Sequence, residues 1–275
     1  MTRIVTRQDI ERALGAFDEL QEIGLPSGSG ECWRARRGPD DFALKVIVRE
    51  HEPGRFQREV EALKRLDSDR VMRVHADGDL STQAGGSFPF LLSEYVPGGD
   101  LRSHISRTPT ISELRAFLKE TFSGLAELHA AEVVHRDLKP ENIILRHGDW
   151  AQPVLIDLGL SRLVDSASFT VYPWAWGTWP YMAPEQLAAE RALDRTDVWA
   201  VGVVAAELAL GRHPFKKPTD KAMPSDWDDR LRAGIAIPGS QPAALHQLIE
   251  NSTEYRAYRR PTAEGAVQMI ERNWV

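Results

Sequence analysis

Pro97-Gly98-Gly99 divides this chain into two stretches whose apolar residues recur with different periods. Before it, runs such as Phe42–Val48 (FALKVIV) and Phe90–Val96 (FLLSEYV) are short, apolar and bounded by turn residues. That pattern predicts strands. Two or three strands are expected over residues 17–50, and two more over 71–96 around the turn-rich STQAGGS. One helix interrupts them over 54–67, where Phe56, Val60, Leu63 and Leu66 fall near a helical period. After the Pro-Gly-Gly, which reads as a hinge, helices dominate: over 112–131 and again around 185 and 198. A small hairpin over 143–145 and 154–156 and an irregular stretch over 160–182 separate them. The class is therefore α+β, a small β-rich lobe with one main helix followed by a larger α-helical lobe.

With 275 residues, 42% of them hydrophobic, the chain can bury the core of one large domain or two lobes. The longest apolar run, Val198–Gly211, is short for a membrane span and contains Glu207, so it reads as a buried helix. The net charge of −6 disfavours a nucleic-acid partner. A single cysteine, Cys32, excludes an intrachain disulfide and fits a cytoplasmic setting. Residues 1–16 lack the apolar core of a signal peptide and read as a short amphipathic helix.

The chemistry concentrates in His135–Asn142, HRDLKPEN, which holds a carboxylate, an ammonium and a carboxamide within one turn. Asp157-Leu158-Gly159 follows an apolar strand, and Lys45 closes Phe42-Ala43-Leu44-Lys45. Glu59 lies on the first-lobe helix, and a glycine-rich stretch runs from Gly24 through Gly28 and Gly30 to Cys32. Gly177-Thr178 and Ala183-Pro184-Glu185 come later, with Asp197 and Arg260 beyond them.

In this order the motifs resemble those of the eukaryotic-like Ser/Thr protein kinases, over roughly residues 17–272. The resemblance implies the bilobal protein-kinase fold, with a helical extension (1–16), an N-lobe (17–96) and a C-lobe (97–275). It implies an enzyme that moves the γ-phosphoryl of ATP to protein Ser or Thr hydroxyls. Asp137 would orient the hydroxyl and take its proton, Lys139 would reach the γ-phosphate, and Asn142 and Asp157 would hold Mg²⁺, with Mn²⁺ as a substitute. Lys45, held by Glu59, would contact the α- and β-phosphates. Thr178 would bridge Asp137 and Lys139, Arg260 would pair with Glu185, and Asp197 would brace the catalytic loop.

For the nucleotide, Gly24, Gly28 and Gly30 would cover the phosphates, although their spacing departs from the family's by one residue and Cys32 replaces its valine. Ala43 and Ile144 would enclose adenine, Glu94 and Val96 would bond it through their backbone, and a small Ser93 would enlarge the pocket behind it. Asp100 would take a ribose hydroxyl or cap the helix beginning LRSHI. Arg136 would pair with a phosphate on Ser161, Ser166, Ser168, Thr170 or Tyr172. Trp174, Trp176 and Trp179 would pack their segment down. Partners would be protein substrates, with a transient dimer for autophosphorylation. The alternatives are a nucleotide-binding scaffold without efficient transfer, or a kinase-fold enzyme acting on a non-protein substrate.

Overall fold

Alternating side chains in the first third of the chain build a five-stranded antiparallel sheet. The computed structural model describes residues 4–27, 30–48, 53–158 and 179–274. Among these, two compact units separate. One joins the chain up to Asp67 with Met72–Val96; the other joins Ser68–Val71 to the chain from Pro97 onward.

The first unit contains helix α1 (Arg7–Leu14), strands β1 (Glu19–Ser27), β2 (Gly30–Arg37) and β3 (Asp40–Val46), helix α2 (Pro53–Arg65), and strands β4 (Val74–Thr82) and β5 (Gly86–Glu94). The strand order is β1-β2-β3-β5-β4. One sheet face buries Trp33, Ala35, Leu44, Val46, Leu80, Phe90 and Leu92 beneath Val5, Ile10 and Phe17 of the N-terminal segment. The opposite face carries Cys32 across from Lys45 and Ala43 across from Ser93, as the two-residue period requires. Helix α1 starts where a capping box predicts. Thr6 accepts the N–H of Asp9, and Asp9 accepts the N–H of Thr6 at 3.0 Å.

The second unit contains α3 (Leu101–His104), α4 (Ile111–Ala130), a hairpin of β6 (Ile143–Leu145) and β7 (Pro153–Leu155), and helices α5 (Pro184–Leu187), α6 (Asp194–Leu210), α7 (Trp227–Ala233), α8 (Ala243–Ser252) and α9 (Ala263–Asn273). The apolar run identified from sequence is α6, buried from Thr196 to Leu208. A helix apolar on every side has to be surrounded, and α6 packs against α4, α8 and α9. Ser68–Val71, assigned from sequence to the first lobe, clusters with this unit instead. Arg70 explains it. Its guanidinium spans Glu120 (2.6 Å) and Glu127 (2.9 Å) of α4, and its carbonyl accepts the N–H of Leu155 at 2.8 Å. At the start of the unit, a Cβ on Gly98 would overlap the carbonyl oxygen of Leu145, so only glycine passes there.

Gly202 marks the closest approach of α6 to the end of α8. A Cβ there would lie 2.8 Å from both Ser252 Cβ and Thr253 Cγ2. Alanine is the better helix former by about 1 kcal/mol, but overpacking costs about 1–3 kcal/mol. We therefore predict that Gly202→Ala lowers Tm by several degrees; a raised Tm in a thermal melt would show that propensity wins.

Candidate active site

Asp197, in the first turn of α6, is 1% exposed and places both carboxylate oxygens against the catalytic-loop backbone. Oδ2 accepts the N–H of His135 and Oδ1 that of Arg136, each at 2.8 Å, and His129 Nε2 lies 2.9 Å from Oδ2. These bonds hold Arg136 at φ 66°, a left-handed conformation that L side chains avoid. Its carbonyl is held too, by Gln186 Nε2 at 3.0 Å. Gln186 in turn accepts the N–H of Ala183 at 3.1 Å. Gln186 was missed from sequence, although a Gln three residues after a helix start is a capping signal.

His135 is fully buried, and burial pushes its pKa down, so the ring is neutral. Its Nε2 faces the carbonyl of Ile156 at 2.9 Å. A carbonyl only accepts, so Nε2 carries the proton and Nδ1 receives the N–H of Asp137 (3.4 Å). The ring thus joins the loop to the end of β7. There Asp157 also adopts a left-handed φ, 55°.

Three of the expected catalytic side chains converge. Lys139 Nζ donates to Asp137 Oδ2 at 3.1 Å, and Asn142 Nδ2 donates to the Asp137 carbonyl at 2.7 Å. Asn142 is 4% exposed, and its carbonyl accepts the N–H of Ile156 at 3.0 Å. Asn142 and Asp157 therefore sit on adjacent chain ends of the β6–β7 hairpin. Ile144 of this hairpin also forms an isolated antiparallel bridge with Asp100. Asp100 caps α3, accepting the N–H of Ser103 at 2.9 Å, which is the capping alternative of the two weighed for it.

In the first unit, Cys32, Ala43, Lys45 and Ser93 share one sheet face. Ser93 is buried and donates to the Ala43 carbonyl at 3.4 Å. Beyond it, Glu94 takes the Arg73 carbonyl on its N–H at 2.9 Å, ahead of Tyr95 and Val96. Glu59 lies half-buried on α2. Gly24 and Gly30 fall in β1 and β2, whose register shifts between Ile23 and Ser27. Gly28, Gly159, Thr178, the candidate phosphate acceptors from Ser161 to Tyr172, Trp174 and Trp176 lie outside the described residues.

The following segment is anchored by Glu185 and Arg260, as the motif order implied. Arg260 Nη1 and Nη2 meet the two Glu185 oxygens at 2.7 and 2.9 Å. Arg260 is 2% exposed and also bonds the carbonyls of Glu254 (2.7 Å), Arg195 (3.0 Å) and Tyr255 (3.1 Å). Trp179 is buried edge-on against Trp227, centroids 4.6 Å apart, which is the packing role expected of it. Tyr181 donates to Glu207 at 2.5 Å and Arg102 to Glu207 at 2.8 Å. Arg102 also donates to Tyr181 and, at 3.0 Å, to Glu141.

The protein kinase domain model matches residues 17–275, and the chain belongs to that family. Its relatives include the serine/threonine-protein kinase PknL of Mycobacterium tuberculosis, 35% identical over 88% of this chain and 62% of PknL. PknA of the same organism is 33% identical over 84% of this chain and 55% of PknA. The probable serine/threonine-protein kinase PkwA of Thermomonospora curvata is 33% identical over 90% of this chain and 33% of PkwA. The chain thus spans less than two thirds of the length of these relatives. Rad53 1-466 in complex with AMP-PNP matches in fold, with TM-score 0.72 and 21% identity over 91% of this chain and 65% of that one. The bilobal α+β kinase fold expected from the motif order is the fold observed.

Two predictions follow from this scaffold. Asp197→Asn leaves one side-chain acceptor for two loop N–H groups, and hydrogen bonds to charged groups are worth about 1.5–3 kcal/mol each. It should lower stability by about 3 kcal/mol and speed amide exchange at His135 and Arg136; unchanged exchange would contradict the bracing role. The second concerns His213, which burial pushes down to about 3 from 6.5. Its Nδ1 accepts the N–H groups of Phe215 (3.2 Å) and Lys216 (2.9 Å). The unfolded ring binds a proton near 6.5 and the folded ring only near 3. Stability is therefore lost as pH falls through that window. His213→Gln should flatten the urea midpoint against pH there, and an unchanged slope would assign the loss to other groups.

Proposed function

We propose that this protein is an ATP-dependent Ser/Thr protein kinase that transfers the γ-phosphoryl group to protein Ser or Thr hydroxyls in the cytoplasm. The observation that carries the reading is the Asp137–Lys139–Asn142 cluster on a loop bonded along its backbone. Asp137 is the group that orients the acceptor hydroxyl and takes its proton as the new O–P bond forms and the bond from the γ-phosphorus to the β–γ bridging oxygen breaks, ADP leaving. Lys139, 3.1 Å from that carboxylate, is near enough to stabilise the phosphoryl oxygens as charge develops on them. Lys45 is the candidate partner of the α- and β-phosphates, with Glu59 as its counter-ion, and Thr178 the candidate bridge between Asp137 and Lys139.

The residues fit Mg²⁺. Asn142 gives its amide N–H to the Asp137 carbonyl, which turns its side-chain oxygen away from Asp137. With the Asp157 carboxylate it makes a pair of hard oxygen donors. Bound Mg²⁺ or Mn²⁺ would neutralise phosphate charge. The nucleotide would lie against Gly24, Gly28, Gly30, Cys32, Ala43, Ser93, Glu94, Val96, Asp100 and Ile144. The domain division we adopt is an N-terminal extension (1–16), an N-lobe (17–96, less Ser68–Val71) and a C-lobe (97–275). Autophosphorylation would proceed through a transient dimer.

Incubation with Mg-ATP should place phosphate on Ser or Thr, read by mass spectrometry. Asp137→Asn should reduce it by at least about 100-fold, and Asp157→Ala should weaken Mg-ATP binding. ATP binding without transfer to itself or to protein substrates would favour a scaffold instead.

A further inference from the structure

One side of the sheet in the first unit is covered by the chain's own N-terminal segment. Alternate residues of β2 form the rail beneath it. Glu31 stands at one end, 1% exposed, and accepts the N–H of Ile4 at 2.5 Å and of Val5 at 3.3 Å. Trp33 and Ala35 follow, buried with Val5, Ile10 and Phe17. Arg37 closes the other end, donating to the carbonyls of Leu14 (2.7 Å) and Ala16 (3.1 Å), with its guanidinium 4.4 Å over the Phe17 ring. An anion meets the N–H groups before α1 and a cation meets the carbonyls after it, in the sense the helix dipole favours. A second contact reaches the β4–β5 turn, where buried Asp9 accepts the N–H of Gln83 at 3.0 Å.

Glu31 is more than an anchor for padding because of its neighbours in β2. Gly30, before it, lies so close to β3 that a Cβ would sit 2.3 Å from the Val46 carbonyl oxygen. Cys32, after it, faces Lys45. A shift of Glu31 therefore moves the last glycine of the phosphate-covering stretch and the strand pair that carries the candidate phosphate lysine. The N–H groups of Ile4 and Val5 help to hold this buried carboxylate, so residues 4 and 5 bear on where β2 sits at this point.

We infer that the segment from Ile4 to Phe17 is a built-in clamp that positions the nucleotide strands, with Glu31 as the positioning residue. The inference rests on the kinase reading above, since it concerns where ATP is held. The clamp predicts that damage at the Glu31 end changes nucleotide affinity, whereas damage at the Arg37 end, away from Lys45, changes stability alone.

The test uses the full chain with Glu31→Gln and Arg37→Ala. Glu31→Gln keeps the shape and turns one acceptor into a donor facing a donor. It should raise the KM and Kd for Mg-ATP about tenfold, the equivalent of one charge-assisted hydrogen bond. The kcat should stay within about twofold, and amide exchange at Gly30–Trp33 should quicken without nucleotide. Arg37→Ala should lower Tm to a similar degree and leave KM within about twofold of wild type. An unchanged KM in Glu31→Gln despite quickened exchange overturns the positioning role while leaving the kinase reading intact. An equal rise in KM in both variants overturns it as well, by reducing the clamp to general stability. Failure of the wild-type chain to bind Mg-ATP at all would overturn the kinase reading and this inference together.

Discussion

The catalytic loop depends on one buried carboxylate. Asp197 is an ionisable group in a largely apolar helix, and burying it uncompensated would cost several kcal/mol. Compensation comes from the loop itself, whose His135 and Arg136 N–H groups supply the donors at 2.8 Å. The dependence runs both ways. The helix cannot keep its acid without the loop, and the loop cannot keep its left-handed Arg136 without the acid. Such reciprocal satisfaction makes the position of Asp137 a property of the core rather than of a surface turn.

Arg136 and Asp157 are two of five left-handed non-glycine residues among those described, and they lie in the two chain segments proposed to carry the chemistry. Each would cost about 1–3 kcal/mol, and the main-chain groups around both positions are bonded. Arg136 is held through N–H by Asp197 and through its carbonyl by Gln186. The peptide leading into Asp157 is held by His135 and by Asn142. Neutral His135 is therefore the link between the two strained points: burial keeps the ring uncharged, and the Ile156 carbonyl, which can only accept, fixes the proton on Nε2.

What was legible in the sequence was what local pattern determines. The short apolar runs FALKVIV and FLLSEYV gave β3 and β5, and the long apolar run gave α6. Motif order gave the Asp137, Lys139 and Asn142 cluster and the Glu185–Arg260 pair, because side chains of those types have few other reasons to occur in that order. What was not legible depends on distant partners. Ser68–Val71 leaves the first lobe because Arg70 finds Glu120 and Glu127, fifty residues or more along the chain. The rail of Glu31, Trp33, Ala35 and Arg37 reads as an ordinary exposed strand with charged ends until a helix is laid on it. The reach of Gln186 beyond its own helix cap was not legible because its partner, the Arg136 carbonyl, lies fifty residues earlier.

Glu207, the charge that argued against a membrane span, completes the account of α6. It is ten residues, or about 15 Å, along the helix from Asp197. It is 5% exposed, and it is satisfied by Arg102 and Tyr181 rather than by backbone. Burial and the adjacent Glu207 push the Tyr181 hydroxyl up, so it remains a donor. Arg102 then reaches Glu141, near the far end of HRDLKPEN. The two acids of α6 thus hold one loop at both ends, Asp197 directly at His135 and Arg136, Glu207 through a guanidinium at Glu141. An apolar helix supplies the rigidity, and its two buried charges supply the direction. The residues between those holding points, Asp137 and Lys139, are the ones we propose to face the reacting groups.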